Sequence, residues 1–467
     1  MNRLIVISNR VTVPKARDKA QAGGLAMALA AALREYRGVW FGWSGKSVPQ
    51  FTGQISMHQS NGVTVALTDL EEADVQEYYN GYANKTLWPL FHYRNDLTAY
   101  DRSFNLGYQR VNARFADTVR PLIDPDDFVW VHDYHLIPLG RELRQRGVKG
   151  PLGFFLHIPW PARQLLVTLP RDRALVEALF SYDLVGFHTE EWLDAFVAYV
   201  LREAGGTVLP DGRLSCFGRT IRAAVFPIGI DASNFVDMLQ TPDSIRARER
   251  VERSLNGRRM IIGVDRLDYS KGLEERFVAY EHLLATRVRH RRDVFMLQIA
   301  TPSRGDVGPY QNLRAKLDAL AGRINGGYAD VDWVPLRYVN RAYRRDELAG
   351  MFRAAQVGFI TPLRDGMNLV AKEYIAAQDP EDPGVLVLSR FAGAALQMKE
   401  ALIVNPFSRE EMADALDRAL TMDLAERKRR FEPLMHSVMT EDVAAWRDNF
   451  VNALREAAEV RVQSEVA

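Results

Sequence analysis

An alternation of strand-like and helix-like segments runs the length of this chain and starts over midway. Short apolar runs rich in β-branched residues (Leu4 to Ser8, Val63 to Leu67, Phe128 to His132, Gly153 to Ile158, Leu184 to His188) are separated by amphipathic stretches such as Tyr108 to Ile123 and Glu190 to Glu203. Continuous apolar runs suit strands buried on both faces, and helical patterns between them predict a doubly wound parallel sheet. The pattern pauses at Phe226-Pro227-Ile228-Gly229-Ile230-Asp231. Then RRMIIGVDR, Arg258 to Arg266, repeats the plan of RLIVISNR, Arg3 to Arg10: an apolar strand closing on a polar residue and an arginine. Further strands are expected at Met260 to Val264, Phe295 to Ala300, Trp333 to Val339, Val357 to Ile360, Val385 to Ser389 and Leu402 to Asn405. A chain of 467 residues exceeds what one core usually supports. The expected organisation is therefore an α/β domain over 1–228 and a second over 229–440. Residues 441–467, with Val443, Trp446, Phe450 and Leu454 at helical spacing, form a terminal helix crossing back to the first domain.

Charge and cysteine content remove several classes of function. Sixty Lys and Arg against 59 Asp and Glu leave a formal charge of +1, which argues against a general nucleic-acid or anionic-membrane binder. The single cysteine, Cys216, rules out an internal disulfide framework and a cysteine-based zinc cluster. MNRLIVISNR is too short an apolar stretch for a signal peptide, and no run reaches the roughly 18 apolar residues of a spanning helix. A soluble cytoplasmic protein is expected. P-loop, H-E-x-x-H and G-x-S-x-G motifs are absent, against ATP-driven phosphoryl transfer, zinc proteolysis and serine hydrolysis.

The richest functional stretch is TPLRDGMNLVAKE, Thr361 to Glu373. Pro362 stops the strand before it, Asp365-Gly366 signals a turn, and a helix should follow from Met367, gathering free amides near Asp365 to Asn368. Leu369, Tyr374 and Ala376 can face a core, with Lys372 and Glu373 elsewhere. A helix start at the carboxyl end of a parallel strand suits sugars and phosphates, and Glu373 could accept from a ribose diol; an ordinary crossover with solvated charges reads as well. In DRLDYSKGL, Arg266 and Lys271 straddle a tight turn and suit a diphosphate, or else a surface salt bridge with Asp265 or Asp268. Gly23-Gly24 opens a helix either as a ligand loop or as a plain cap. Arg10, His132-Asp133 and His157 sit at strand ends, although His157 among Phe155, Leu156 and Ile158 also reads as a core histidine. Tyr79 and Trp88 lie in an aromatic segment that is either core or a wall for sugar rings, and Arg304 is a further cation at a strand end.

These motifs also form a longer pattern. SNRV, AGGLA, FGWSG, LWPLFHYR, WVHDYHL, GFFLHIPWP, FPIGID, DRLDYSKGL, RGDV and TPLRDGMNLVAKEY, spread to about Thr440, resemble those of the trehalose-6-phosphate synthases, retaining glycosyltransferases of family 20. The resemblance implies the GT-B fold, two Rossmann-like doubly wound domains facing across a cleft, and transfer of glucose from a nucleotide sugar, usually UDP-glucose, to glucose 6-phosphate. By the same resemblance Gly23, Gly24, Arg266, Lys271, Tyr343 and Leu369, Val370, Ala371, Lys372 and Glu373 hold the donor nucleotide. Asp365, the turn amides of Gly366, Met367 and Asn368, and His157 hold its glucose, and Arg10, Tyr79, Trp88, Asp133 and Arg304 form the acceptor pocket. It assigns the chemistry to Arg266, Lys271, His157 and Asp365. The resemblance implies a homodimer or tetramer; with no metal cluster visible and Arg and Lys available to the diphosphate, activity without cofactor or metal is expected, and with no D-x-D-x-T/V motif present a separate phosphatase is expected to act on the product. The loop Pro159-Trp160-Pro161-Ala162-Arg163-Gln164 departs from the family pattern, in which Phe and then a carboxylate near position 164 are usual. A related transferase using another acceptor, such as glycerol 3-phosphate, and a catalytically silent sugar-phosphate sensor are the competing readings.

Overall fold

The computed structural model describes residues 3–13, 33, 38–60, 62–303 and 308–466. They divide into two compact units: one reaches to Ile228 and takes back the chain from Ala444 onward, the other is Gly229–Val443. Glu441, Asp442 and Val443, expected with the terminal helix, stay in the second unit, where a Cβ at Gly229 would fall 2.1 Å from the Glu441 carbonyl.

Strands of the first unit are β1 (Leu4–Arg10), β2 (Val39–Val48), β3 (Ser56–Ser60), β4 (Val63–Glu71), β5 (Phe128–His132), β6 (Leu152–Phe155), β7 (Leu184–Phe187), β8 (Thr207–Val208), β9 (Leu214–Cys216) and β10 (Arg219–Val225). They lie in the order β3-β4-β2-β1-β5-β6-β7-β10-β9-β8. Pairings from β4 through to β10 are parallel, and antiparallel strands extend both edges. The second unit has β11 (Arg259–Arg266), β12 (Val294–Thr301), β13 (Leu336–Val339), β14 (Val357–Ile360), β15 (Val385–Ser389) and β16 (Leu402–Val404). Their order is β13-β12-β11-β14-β15-β16 and every pairing is parallel.

Both sheets are wound alike. The first strand is internal, the next strands (β2 to β4 in one sheet, β12 and β13 in the other) lie on one side of it, and the chain then jumps back to add strands on the other. Where that direction reverses, consecutive loops leave on opposite faces and open a crevice at the carboxyl ends of the strands. The crevice falls between β1 and β5 in one unit and between β11 and β14 in the other.

The helix Val443–Val466 covers the sheet of the first unit. Phe450 stacks on Trp130, with ring centres 4.4 Å apart, and Trp446 meets Phe155 edge-on at 5.2 Å. Gly153 and Gly186 make room, since a Cβ on either would lie 2.8 Å from the Phe450 ring. Burying such a phenylalanine contributes about 1.5–3 kcal/mol.

Local departures from expectation have local causes. The helix expected over Tyr108 to Ile123 runs Arg102–Val119: Asp101 caps it by accepting from the Ser103 amide at 2.7 Å, and Pro121 lies just past its end. β13 begins at Leu336 rather than Trp333 because Pro335 has no N–H to give the ladder. Strands β2, β3, β8, β9 and β10 were not foreseen, their runs being short or interrupted by glycine and polar residues. The aromatic segment Val75–Leu87 is a π-helix, continued by the Trp88 amide donating to the Ala83 carbonyl. Such helices are rare and often mark functional places.

Candidate active site

In the second unit the loops after β11 and β14 are stitched together. Gly272 takes φ 65°, and a Cβ there would sit 2.2 Å from the Thr361 carbonyl, so the two loops approach only over a glycine. The Leu363 amide donates to the Ser270 carbonyl at 2.8 Å. Beneath them lies Arg276, fully buried, donating to Asp265 at 2.7 Å, Gln298 at 2.9 Å, the Thr361 hydroxyl at 3.1 Å and the Lys271 carbonyl at 3.2 Å. Lys271 Nζ is 2.5 Å from Asp365 Oδ2, which also accepts from Asn368 at 3.1 Å. The partner of Lys271 is thus Asp365, while Asp265 belongs to Arg276. Arg266 ends β11 and is exposed.

Asn368 lies in the left-handed region at φ 74°, which asparagine tolerates better than most residues, and the helix Leu369–Ala377 starts behind it. Its first amides have no intrahelical acceptor and carry the positive end of the helix dipole. This start is later than expected, and the Asp365 amide, expected to be free, donates to the Phe391 carbonyl at 3.1 Å. The expected outward position of Lys372 is also corrected: it is 1% exposed, donates to Gln397 at 2.7 Å, and burial lowers its pKa to about 8, leaving a ligand only its backbone. Leu369, expected to face the core, is half-buried, as is Val370, while Gly366, Met367 and Ala371 are buried. Glu373 accepts from Arg345 at 3.0 Å, and burial holds its pKa up despite that partner. Half-buried Tyr343 carries the Arg341 guanidinium over its ring at 4.4 Å.

At the reversal point of the first unit, Arg10 ends β1, its guanidinium lying over Gly45 and 5.7 Å from the Trp43 ring centre. Trp43 meets Tyr79 edge-on at 5.5 Å, and Tyr79 stacks on His135 at 6.0 Å. Asp133, directly after β5, takes φ 76°. Its carboxylate accepts from the His157 amide at 3.2 Å, and its own amide donates to Phe155 at 2.8 Å. His157 Nε2 stands 2.9 Å from His132 Nδ1. Burial lowers both imidazole pKa values well below the ordinary one, helped by His157 acting on His132 and His188 on His157. Both rings are neutral at pH 7, able to give and accept hydrogen bonds with hydroxyl groups without charge. Trp88 is buried between His92, at 4.1 Å, and Tyr134, at 5.7 Å.

The structure brings Lys271, Asp365 and Asn368 into one bonded cluster and His157 with Asp133 into another. Gly23, Gly24 and Arg304 lie outside the described residues. Arg276 and Arg345, which fix the positions of Lys271 and Glu373, escape the sequence because their partners are up to 85 residues away. Among the described residues no group of His, Cys, Asp and Glu is arranged to hold a metal ion.

Comparison with known proteins bears on the family and the fold. The glycosyltransferase family 20 pattern matches residues 2–456. The trehalose-6-phosphate synthase of Sinorhizobium fredii is 48% identical over 97% of this chain and 98% of its own. A UDP-forming α,α-trehalose-phosphate synthase from Burkholderia xenovorans, solved in complex with glucose-6-phosphate, is 50% identical with a TM-score of 0.93, covering 97% of this chain and all of that one. The Escherichia coli structure bound with UDP-2-fluoro glucose is 45% identical with a TM-score of 0.93, over 97% of this chain and 99% of that one. Likeness at this level over whole chains carries the GT-B fold implied by the motifs. With two doubly wound sheets, polar residues gathered at both reversal points and a match that runs from end to end, the chain belongs to glycosyltransferase family 20.

Proposed function

We infer that the chain is a retaining trehalose-6-phosphate synthase, moving glucose from UDP-glucose to glucose 6-phosphate to give α,α-trehalose 6-phosphate and UDP. The observation that carries this reading is the cluster at the β11/β14 reversal. Arg266 ends β11 and Lys271 bonds to Asp365 just before the helix that starts after Asn368, with Glu373 further along that helix, and whole-chain relatives were solved with glucose-6-phosphate and with UDP-2-fluoro glucose.

The second unit takes the donor. Glu373 accepts from the ribose hydroxyls, while Arg266, Lys271 and the amides of Leu369 to Ala371 meet the diphosphate, with Gly23, Gly24 and Tyr343 completing the nucleotide site. Asp365, Gly366, Met367, Asn368 and His157 hold the glucose hydroxyls. Arg10, Arg304 and Tyr79 meet the acceptor phosphate, with Trp88 and Asp133 placing its ring. As the bond from the anomeric carbon to the diphosphate oxygen breaks, the acceptor hydroxyl bonds to the same face of that carbon and passes its proton to a leaving phosphate oxygen. Lys271 and Arg266 stabilise the negative charge that grows on the diphosphate.

Three supports bear on setting. Among the described residues no helix is long and apolar enough to cross a membrane, and Cys216 is a buried free thiol, in keeping with a reducing cytoplasm. The family resemblance supports a homodimer or tetramer, the positive charge of Arg266 and Lys271 at the diphosphate supports turnover without a metal, and a product that keeps its phosphate calls for a separate phosphatase to consume it.

A coupled nucleotide-release assay tests the reading, with UDP-, GDP- and ADP-glucose each offered against glucose 6-phosphate, glycerol 3-phosphate and no acceptor. Release of UDP only with glucose 6-phosphate, with a non-reducing disaccharide phosphate as product, is expected. Release with glycerol 3-phosphate instead, or no release in any combination, would overturn it.

A further inference from the structure

On the rim of the first unit opposite the carboxyl ends of its strands lies a cavity of about 490 Å³ into which four arginines are gathered. Asp183 enters it just before β7 and Arg219 at the head of β10, with Arg213 from the turn before β9, Arg144 from the helix Leu139–Gln145 and Arg461 from the terminal helix. The buried Asp183 carboxylate is fully occupied, accepting from Arg144 at 2.9 Å and the Leu152 amide at 2.8 Å and pairing with Arg461 at 2.7 Å. Arg213 pairs with Asp211 at 2.7 Å. Four guanidinium groups against these two carboxylates leave a surplus of positive charge. Arg144 registers it: burial lowers its pKa, and the charges of Arg461 and Arg219 add to that against the pull of Asp183. Phe180 supplies an apolar wall.

We propose that this cavity is a second anion site, taking a small phosphorylated metabolite of about two negative charges. Arg219, exposed at the mouth, and Arg213 present forked N–H donors to phosphate oxygens, and Arg144 contributes field without leaving its carbonyl partners. The site is joined to the reaction centre by one rigid element. Arg461 and Trp446 stand on the same helix, about 22 Å apart at 1.5 Å per residue. The Trp446 ring lies 6.1 Å from that of His157 and 6.3 Å from that of His132. An anion that draws Arg461 from Asp183 and the Lys149 carbonyl therefore acts on the helix behind both histidines.

Calorimetry of inorganic phosphate and of inorganic pyrophosphate into the full chain and into its Arg213→Ser/Arg219→Ser variant tests the site. The wild type should bind one equivalent that the variant binds at least about tenfold more weakly, since each charge-assisted bond is worth roughly that factor. Tighter binding of pyrophosphate assigns a diphosphate ligand, and equal binding a monoester. The variant should keep the wild-type transfer rate without added anion, and the probe should shift the glucose 6-phosphate KM of the wild type beyond the competitive shift that both proteins share. Equal binding by variant and wild type, no binding by either, or binding removed by equimolar chloride, marking an adventitious ion only, would overturn the proposal. Equivalents bound at the reversal points are common to both proteins and this site's equivalent is the difference between them, which separates failure of the substrate assignment from failure of this site.

Discussion

Replacing Arg276 with methionine removes the side chain that ties β11, its following loop and the loop after β14 together. Asp265 is buried beside it, and burial already pushes that carboxyl up against the pull of Arg276. Without the guanidinium the carboxylate is left uncompensated in the interior, and three further acceptors, on Gln298, Thr361 and Lys271, lose their donor. Breaking a buried pair from one side costs about 3–5 kcal/mol, whereas replacing both partners together can be close to neutral. Urea denaturation of the wild type, Arg276→Met, Asp265→Asn and the double variant closes a thermodynamic cycle. We expect each single variant to be less stable than the double, with Arg276→Met down by about 3–5 kcal/mol. Strictly additive losses, or a single-variant loss below about 0.5 kcal/mol, would refute the account of Arg276 as the buried tie.

Arg266→Ala and Lys271→Ala should each lower turnover by roughly 10²- to 10³-fold in the UDP-release assay, the usual loss for a preorganised charge partner, and near-normal turnover in both would remove them from the chemistry. Lys372 has its folded pKa lowered from 10.5 to about 8, so the folded chain binds fewer protons than the unfolded one between those values and stability rises with pH there. The stability of the wild type relative to Lys372→Met should therefore improve by up to about 3 kcal/mol between pH 8 and 10.5, and a difference flat with pH would contradict the burial of the ammonium. Phe450→Ala should cost about 3–5 kcal/mol in thermal or chemical denaturation by emptying the space over Gly153 and Gly186; a loss under about 1 kcal/mol would mean that the terminal helix does not cover the sheet in solution. EDTA should leave the rate unchanged, and abolition would show a metal requirement.

The strands buried on both faces were the most legible part of the sequence. Phe128 to His132, Val357 to Ile360 and Val385 to Ser389 read as uninterrupted apolar runs and form β5, β14 and β15 with those bounds. Strand β2 hides because Gly42, Ser44 and Gly45 break its apolar run, and because its support comes from β1 and β4, which are remote in sequence. Residue types at the candidate site were visible because Arg266, Lys271 and Asp365 sit at strand ends beside turn residues. Their bonding was not: Lys271 is 94 residues from Asp365, and no local pattern reports a pair closed by sheet order. Lys372 misled for a related reason. Helical spacing places it beside Glu373, but the segment carrying Gln397 packs over it and turns an expected solvent-facing position into an interior one.

The return of the chain from Ala444 onward to the first unit has a consequence during synthesis. Gly229–Val443 is complete before Trp446 and Phe450 emerge, so the second unit can finish folding while the first still lacks its cover. Roughly 240 residues separate Ile228 from the last turn of the covering helix at Val466, so at ribosomal rates of about 5–20 residues per second the face around Trp130 and Phe155 waits roughly 12–48 s for its helix. In that interval it offers aromatic surface to chaperones and to other nascent chains, and a ribosome that stalls late releases a product whose second half is sound and whose first half is not.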